Sequence, residues 1–189
     1  MASEARAGGA AVLERLEQDH QHLSRVMDVF DAQLAKLGRD DEDVDWNLMG
    51  EIIAYVQEYP DAVHHPLEDQ LFDKVLDKGL TPAERELVHF NLSQHAQIIS
   101  STQRLADEIG DILNDIVVPM AAVREHGRRY LEMQRNHMHN EHRHLFPLAE
   151  RLLSDDDWTD VAQVLIEQQD PLFKLQLGRY EALYRHVAD

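Results

Sequence analysis

The chain has 189 residues, the length of one domain with room for a small appendage, and enough to bury a full core. Apolar residues make up 43% and charged residues 29%, which sets aside disorder, and no apolar run nears the ~20 residues that span a bilayer. A net charge of -18 argues against nucleic acid as a partner, since phosphate binding rests on clustered Lys and Arg; the absence of cysteine excludes disulfides, thiolate metal sites and Fe–S ligation by this chain. The opening MASEARAGGAAVLERL has neither the basic start nor the apolar stretch of a secretory signal, so a cytoplasmic location is expected.

Helical periods dominate. Leu13, Leu16, Leu23, Met27, Phe30, Leu34 and Leu37 form one apolar stripe, and His20 fills its gap on the same face. Gly38 ends this first helix, and an acidic loop runs from Asp40 to Asp45. A second helical stretch spans about Trp46 to Lys78, with a break or kink expected at Pro60 and Pro66, because each removes a backbone donor. Thr81-Pro82-Ala83-Glu84 reads as an N-cap, a proline at the first helical position and an acidic first turn. The third helix carries Val88, Leu92, His95, Ile98, Leu105, Ile109 and Ile112 on one side. A fourth starts at Pro119 and runs through Tyr130, Met133, His137, Glu141, Leu145 and Leu148. From Ser154, two shorter helices divided at Pro171 follow. Nothing alternates with the period of a strand. The expected fold is all-α: an up-and-down four-helix bundle over residues 1–153, with a C-terminal helical extension, 154–189, packed on it.

The 12 histidines are informative through their placement. His64-His65-Pro66-Leu67-Glu68 and His137-Met138-His139-Asn140-Glu141 each contain His-x-x-x-Glu, and positions i and i+4 share one helix face. A lone core-facing histidine precedes each pair: His20 by 44 residues and His95 by 42. The chain thus reads His … HisxxxGlu twice, and a pseudo-twofold pair of helical hairpins would bring all six groups together. His65 and Asp69 also stand four apart. On a helical wheel centred on Leu67, Leu71, Phe72, Val75 and Leu76, however, His64 and Glu68 fall within roughly 30° of the centre, whereas His65 and Asp69 lie roughly 70° and 110° away. One core histidine is usually only a hydrogen-bonded core residue, and one HisxxxGlu is commonly a surface pair. Six such groups on four core faces would leave desolvated charges and unsatisfied nitrogens, a cost that a pair of cations offsets. His22, His89, His126, His139, His142 and His186 are expected to face solvent or to stand behind the ligands.

Asp19-His20, His64-His65-Pro66-Leu67-Glu68-Asp69 with Phe72, Gln94-His95, and His137 through Glu141 to Phe146-Pro147 resemble the hemerythrin-like, or HHE cation-binding, domains. The resemblance covers residues 12 to about 152. It implies a four-helix bundle around two iron ions in a non-haem, oxo- or hydroxo-bridged diiron centre. By that likeness Glu68 and Glu141 bridge the irons, and His20, His64, His95 and His137 are terminal ligands. Oxygen-carrying hemerythrin has a second histidine four residues after that of its third helix and an aspartate five residues after its last histidine. Ile99 and His142 stand at those places here. Six ligands leave coordination positions open, which favours reaction over simple carriage. The ligand set is also similar to that of proteins that repair nitric-oxide-damaged Fe–S clusters, whose additional domain carries a cysteine.

The expected function is to bind or turn over a small ligand: dioxygen, nitric oxide or hydrogen peroxide. The alternatives are a non-enzymatic iron sensor or store, repair of nitrosatively damaged Fe–S centres, and a redox-inert zinc site, since His and carboxylate also suit zinc. Tyr130, two turns before His137, either donates a hydrogen bond into the site or packs, and His144, two turns after it, is a candidate seventh ligand. The expected partner is the small ligand itself, with neither nucleic acid nor membrane, and a homodimer is the candidate assembly.

Overall fold

A computed structural model of the chain describes residues 2–38, 43–165, 170–172 and 179–187. Every regular element among them is helical: α1 (Ala2–Lys36), α2 (Trp46–Glu58), α3 (His65–Leu76), α4 (Pro82–Leu113), α5 (Met120–Asn140), α6 (Phe146–Leu152), α7 (Asp155–Leu165) and α8 (Glu181–Val187). Gly38 follows α1 with φ +84°, a left-handed conformation that glycine adopts without a Cβ penalty. The acidic loop expected after it lies partly outside the described residues; its last member, Asp45, caps α2 by accepting from the Leu48 N–H at 2.9 Å. Thr81 and Glu84 form the reciprocal N-cap of α4.

Four legs make an up-and-down bundle: α1, the α2–α3 pair, α4, and the α5–α6 pair. Leg α1 packs on α2 and α5, and α4 on α2, α3 and α5; α3 also meets α6. The α1–α5 approach is close enough that a Cβ on Gly127 would sit 2.6 Å from Leu34 Cδ1. Helix α7 lies on α1 and α3, and α8 on α1 and α2. None of the described helices is long and apolar enough to cross a membrane.

The two long legs that carry the His-x-x-x-Glu pairs are each interrupted by one widened π-turn. The first spans Pro60–His64, where the His64 N–H donates to the Tyr59 carbonyl and the His65 N–H to the Pro60 carbonyl. The second spans Glu141–Leu145 and closes with the Phe146 N–H on the Glu141 carbonyl. Each ends two residues before a proline, at His64 before Pro66 and at Leu145 before Pro147. In a regular helix a proline ring collides with the carbonyl four residues back and lacks the N–H to bond it; a wider turn relieves both. The break expected near Pro60 and Pro66 takes this form. The fourth helix, by contrast, was expected to run unbroken to Leu148, and Pro147 accounts for the difference.

Two apolar clusters fill the bundle. One contains Leu13, Leu16, Leu71, Phe72, Val88, Leu145 and Trp158, and the other Leu23, Met27, Phe30, Ile52, Tyr55, Ile98, Leu105 and Tyr130. Between them, each leg contributes buried polar residues: Asp19 and His20 from α1; His64, His65 and Glu68; Asn91, Gln94 and His95 from α4; Gln134, His137 and Glu141. The fold therefore sandwiches one polar layer between two dry ones.

Candidate metal centre

Within this layer the six groups singled out by the sequence converge. His20 Nε2 and His64 Nε2 stand 2.9 Å apart, and His95 Nε2 and His137 Nε2 3.0 Å apart. Glu68 directs Oε1 at the first pair, 3.2 Å from His20 and 3.3 Å from His64, and Oε2 at the second, 3.6 Å from His95. Glu141 does the same in reverse: Oε2 is 3.4 Å from His20, while Oε1 is 3.2 Å from His137 and 3.7 Å from His95. The turn spacing of each HisxxxGlu is what sets imidazole and carboxylate side by side.

The donor set fits cations. Glu68 is 0% exposed, and no hydrogen bond among the described residues satisfies either of its oxygens or Oε2 of Glu141. Buried carboxylates left in that state are costly without a counter-charge. In the metal-free chain, protonated imidazoles supply it. Burial opposes charge on His64, but Glu68 and Asp19 outweigh burial and raise it to about 10. Burial likewise opposes charge on His95, which Asp69, Glu141 and Glu68 lift to about 9. Despite its burial, Glu68 is held well below the usual carboxylate range by His64 and His20. The nitrogen spacings fit an ion as well: two donors about 2.1 Å from one centre and at right angles to each other lie about 3.0 Å apart.

A second tier of groups holds these ligands from behind. His64 Nδ1 lies 3.3 Å from Asp19 Oδ2, and Asp19 is itself fixed by the Arg15 guanidinium at 2.9 Å and the Tyr59 hydroxyl at 3.0 Å. His95 Nδ1 lies 2.6 Å from Asp69 Oδ1, and His20 Nδ1 3.0 Å from His142 Nε2. The Asn91 amide donates to Glu141 Oε1 at 2.7 Å. Such outer contacts fix which imidazole nitrogen faces a metal. Asn91 and Asp61 were missed in the sequence, although each stands four residues before a site histidine, His95 and His65, and so one turn along the same face.

One expectation changes, that for His65. His65, placed off the buried face by the wheel, is only 1% exposed: its ring stacks on His95 at 4.5 Å and meets His137 edge-on at 5.6 Å. His65 and the apolar residues of the wheel belong to one regular helix, α3, so the difference lies in the width of the buried face: α4 and α5 cover His65 from the side through His95 and His137. His144, a candidate seventh ligand, is exposed, whereas His20, His64, His95 and His137 are buried. Tyr130 is fully buried and packs edge-on against Phe30, and its hydroxyl accepts from Gln134 Nε2 at 3.5 Å.

A helical bundle with a buried layer of histidines and carboxylates defines a cation-binding bundle protein. The hemerythrin HHE cation-binding domain matches residues 3–149, and the chain belongs to that family. No curated protein and no solved structure matches it.

Proposed function

We propose that this protein holds two iron ions in the polar layer, bridged by Glu68 and Glu141, and binds or turns over a small ligand such as dioxygen, nitric oxide or hydrogen peroxide. One observation carries the reading: each carboxylate offers one oxygen to the His20–His64 pair and the other to the His95–His137 pair. Imidazole and carboxylate donors suit iron, and two imidazoles with two shared carboxylates per ion would leave positions open on a six-coordinate metal. Iron bound there supplies electrons and open positions for a small ligand. The chain's own part is to hold and orient. Asp19 and Asp69 fix the His64 and His95 rings, Asn91 fixes Glu141, and the apolar clusters on either side keep bulk water out.

The test is metal analysis and an optical spectrum of protein purified without added metal. Two irons per chain are expected, with a spectrum that changes when azide or nitric oxide is added. Saturation at one ion, or zinc alone with iron supplied, would overturn the reading. A second reading, an iron sensor, draws on Asp170, which sits 3.1 Å from His22 and accepts from the Tyr55 hydroxyl, in one cluster with Asp19 behind His64. That arrangement links the site to the C-terminal segment. Iron-dependent change in oligomeric state without turnover would favour it.

A further inference from the structure

Three of the five tyrosines stand in file from the polar layer to the surface. The Tyr59 hydroxyl donates to Asp19 Oδ2 at 3.0 Å, and the same oxygen lies 3.3 Å from His64 Nδ1, so this ring is one carboxylate away from the layer. The Tyr55 ring stacks on Tyr59 with centroids 6.4 Å apart, and Tyr180 meets Tyr55 edge-on at 5.8 Å. Tyr180 lies just under the surface. Its hydroxyl donates to Glu58, whose side chain is 38% exposed and also pairs with the exposed Arg179 at 2.7 Å. All three hydroxyls thus donate to carboxylates: Tyr59 to Asp19, Tyr55 to Asp170 at 3.0 Å, and Tyr180 to Glu58. A buried phenol needs only a neutral acceptor, and burying Asp170 for that purpose costs more than an amide would. Tyr130, buried outside this file, has an amide partner, Gln134. What a carboxylate adds is a base: a phenol gives up an electron far more readily when its proton has somewhere to go. Burial foremost, and then the carboxylates, raise all three phenols above the usual tyrosine range, so each holds its proton at rest.

We propose that Tyr180, Tyr55 and Tyr59 are a one-electron relay, through which phenolic donors outside the bundle reduce hydrogen peroxide held in the polar layer. The proposal rests on the reading of redox-active iron there and adds the source and route of its electrons. Each tyrosine passes one electron inward while its hydroxyl proton shifts to the carboxylate it faces. It then recovers the electron from the next group outward and the proton from that carboxylate, and so ends unchanged. The donor refills Tyr180 beside Glu58 and Arg179, losing one electron and one proton. Two such cycles break the peroxide O–O bond, so two phenols and one peroxide yield two phenoxyl radicals and two waters. The protons lost by the donors balance those taken up in forming water. Ring-to-ring transfer lets a donor too large for the closed layer act from the surface.

The experiment mixes iron-loaded protein with hydrogen peroxide, freezes it at set times and records electron paramagnetic resonance, with and without the bulky phenol Trolox. Wild type should give a tyrosyl radical that Trolox quenches, with two Trolox molecules oxidised per peroxide. Tyr55→Phe cuts the file in the middle while keeping the ring. At unchanged iron content, its radical should decay about a hundredfold more slowly with Trolox, and Trolox oxidation should fall by the same factor. Tyr130→Phe should behave as wild type. If Tyr55→Phe does not fold, Tyr180→Phe, which cuts the outer link, is judged by the same criteria. Wild-type behaviour in the folded variant, an equal slowing in Tyr130→Phe, or no tyrosyl radical in iron-loaded wild type would overturn the relay and leave the metal reading intact. A wild type that takes up no iron would instead overturn that reading, and the relay with it.

Discussion

Asp69 meets the site through His95: its Oδ1 lies 2.6 Å from the ring Nδ1, while its side chain stays 46% exposed. Glu68, one residue earlier, is sealed inside. Asp69→Ala should therefore keep two ions per chain and weaken their binding by about 10- to 100-fold, the usual cost of losing an outer hydrogen bond to a ligand. Glu68→Ala or Glu141→Ala should halve the stoichiometry or abolish it, because each carboxylate serves both histidine pairs. Metal content after identical loading measures all three. An Asp69→Ala protein that emptied while Glu68→Ala stayed loaded would contradict the arrangement.

Removing metal should lower the melting temperature. An ion that binds only the folded chain adds about 4 kcal/mol when present at a thousand times its Kd. At roughly 2–4 °C per kcal/mol for a domain of this size, the apo form should melt on the order of 10 °C lower. Calorimetry with and without chelator checks this, and coincident melts would show that the site is not linked to folding.

Metal loading should release protons. With His64 raised to about 10 and His95 to about 9, both imidazoles carry a proton in the metal-free protein at pH 7.5. A ligating nitrogen must give its proton up, so about two protons per chain should appear on loading. Titration calorimetry in buffers of different ionisation enthalpy counts them. Zero release would mean that the layer is neutral by another route.

Asp61 gives the metal-free protein a pH dependence of its own. Burial pushes its carboxyl from 3.8 to about 7. Between those values the unfolded chain ionises Asp61 while the folded chain keeps the proton, so the folded state loses stability as pH rises from about 4 to 7 and levels off above. At about 1.4 kcal/mol per pKa unit, the loss is a few kcal/mol at most. Asp61→Asn should match wild type near pH 4.5 and melt higher at pH 8. An equal melting difference at both values would count against a buried, ionisable Asp61.

Much of the layer was legible in the chain itself. The two HisxxxGlu pairs and the lone His20 and His95 stand out because a helix repeats its faces every three to four residues, and polar groups inside an apolar stripe are costly without a role. What could not be read was how far the neighbouring legs wrap around α3. The same arithmetic that placed Glu68 inside put His65 outside, and the structure buries both because His95 and His137 cover His65 from the side. Asn91 and Asp61 escaped for another reason. Amides and carboxylates at such positions commonly face solvent, and only the fold shows that these two are enclosed.

Each π-turn is, in effect, a regular helix with one residue added, and such an addition can be undone. Deleting a single residue within 60–64 would return that leg to ordinary winding and swing everything after it by about 100°. Leu67, Leu71 and Phe72 would leave the core together with Glu68. The site and the hydrophobic packing of this leg thus share one reading frame, so the lineage can gain or lose the extra residue only together with compensating changes along the whole of α3.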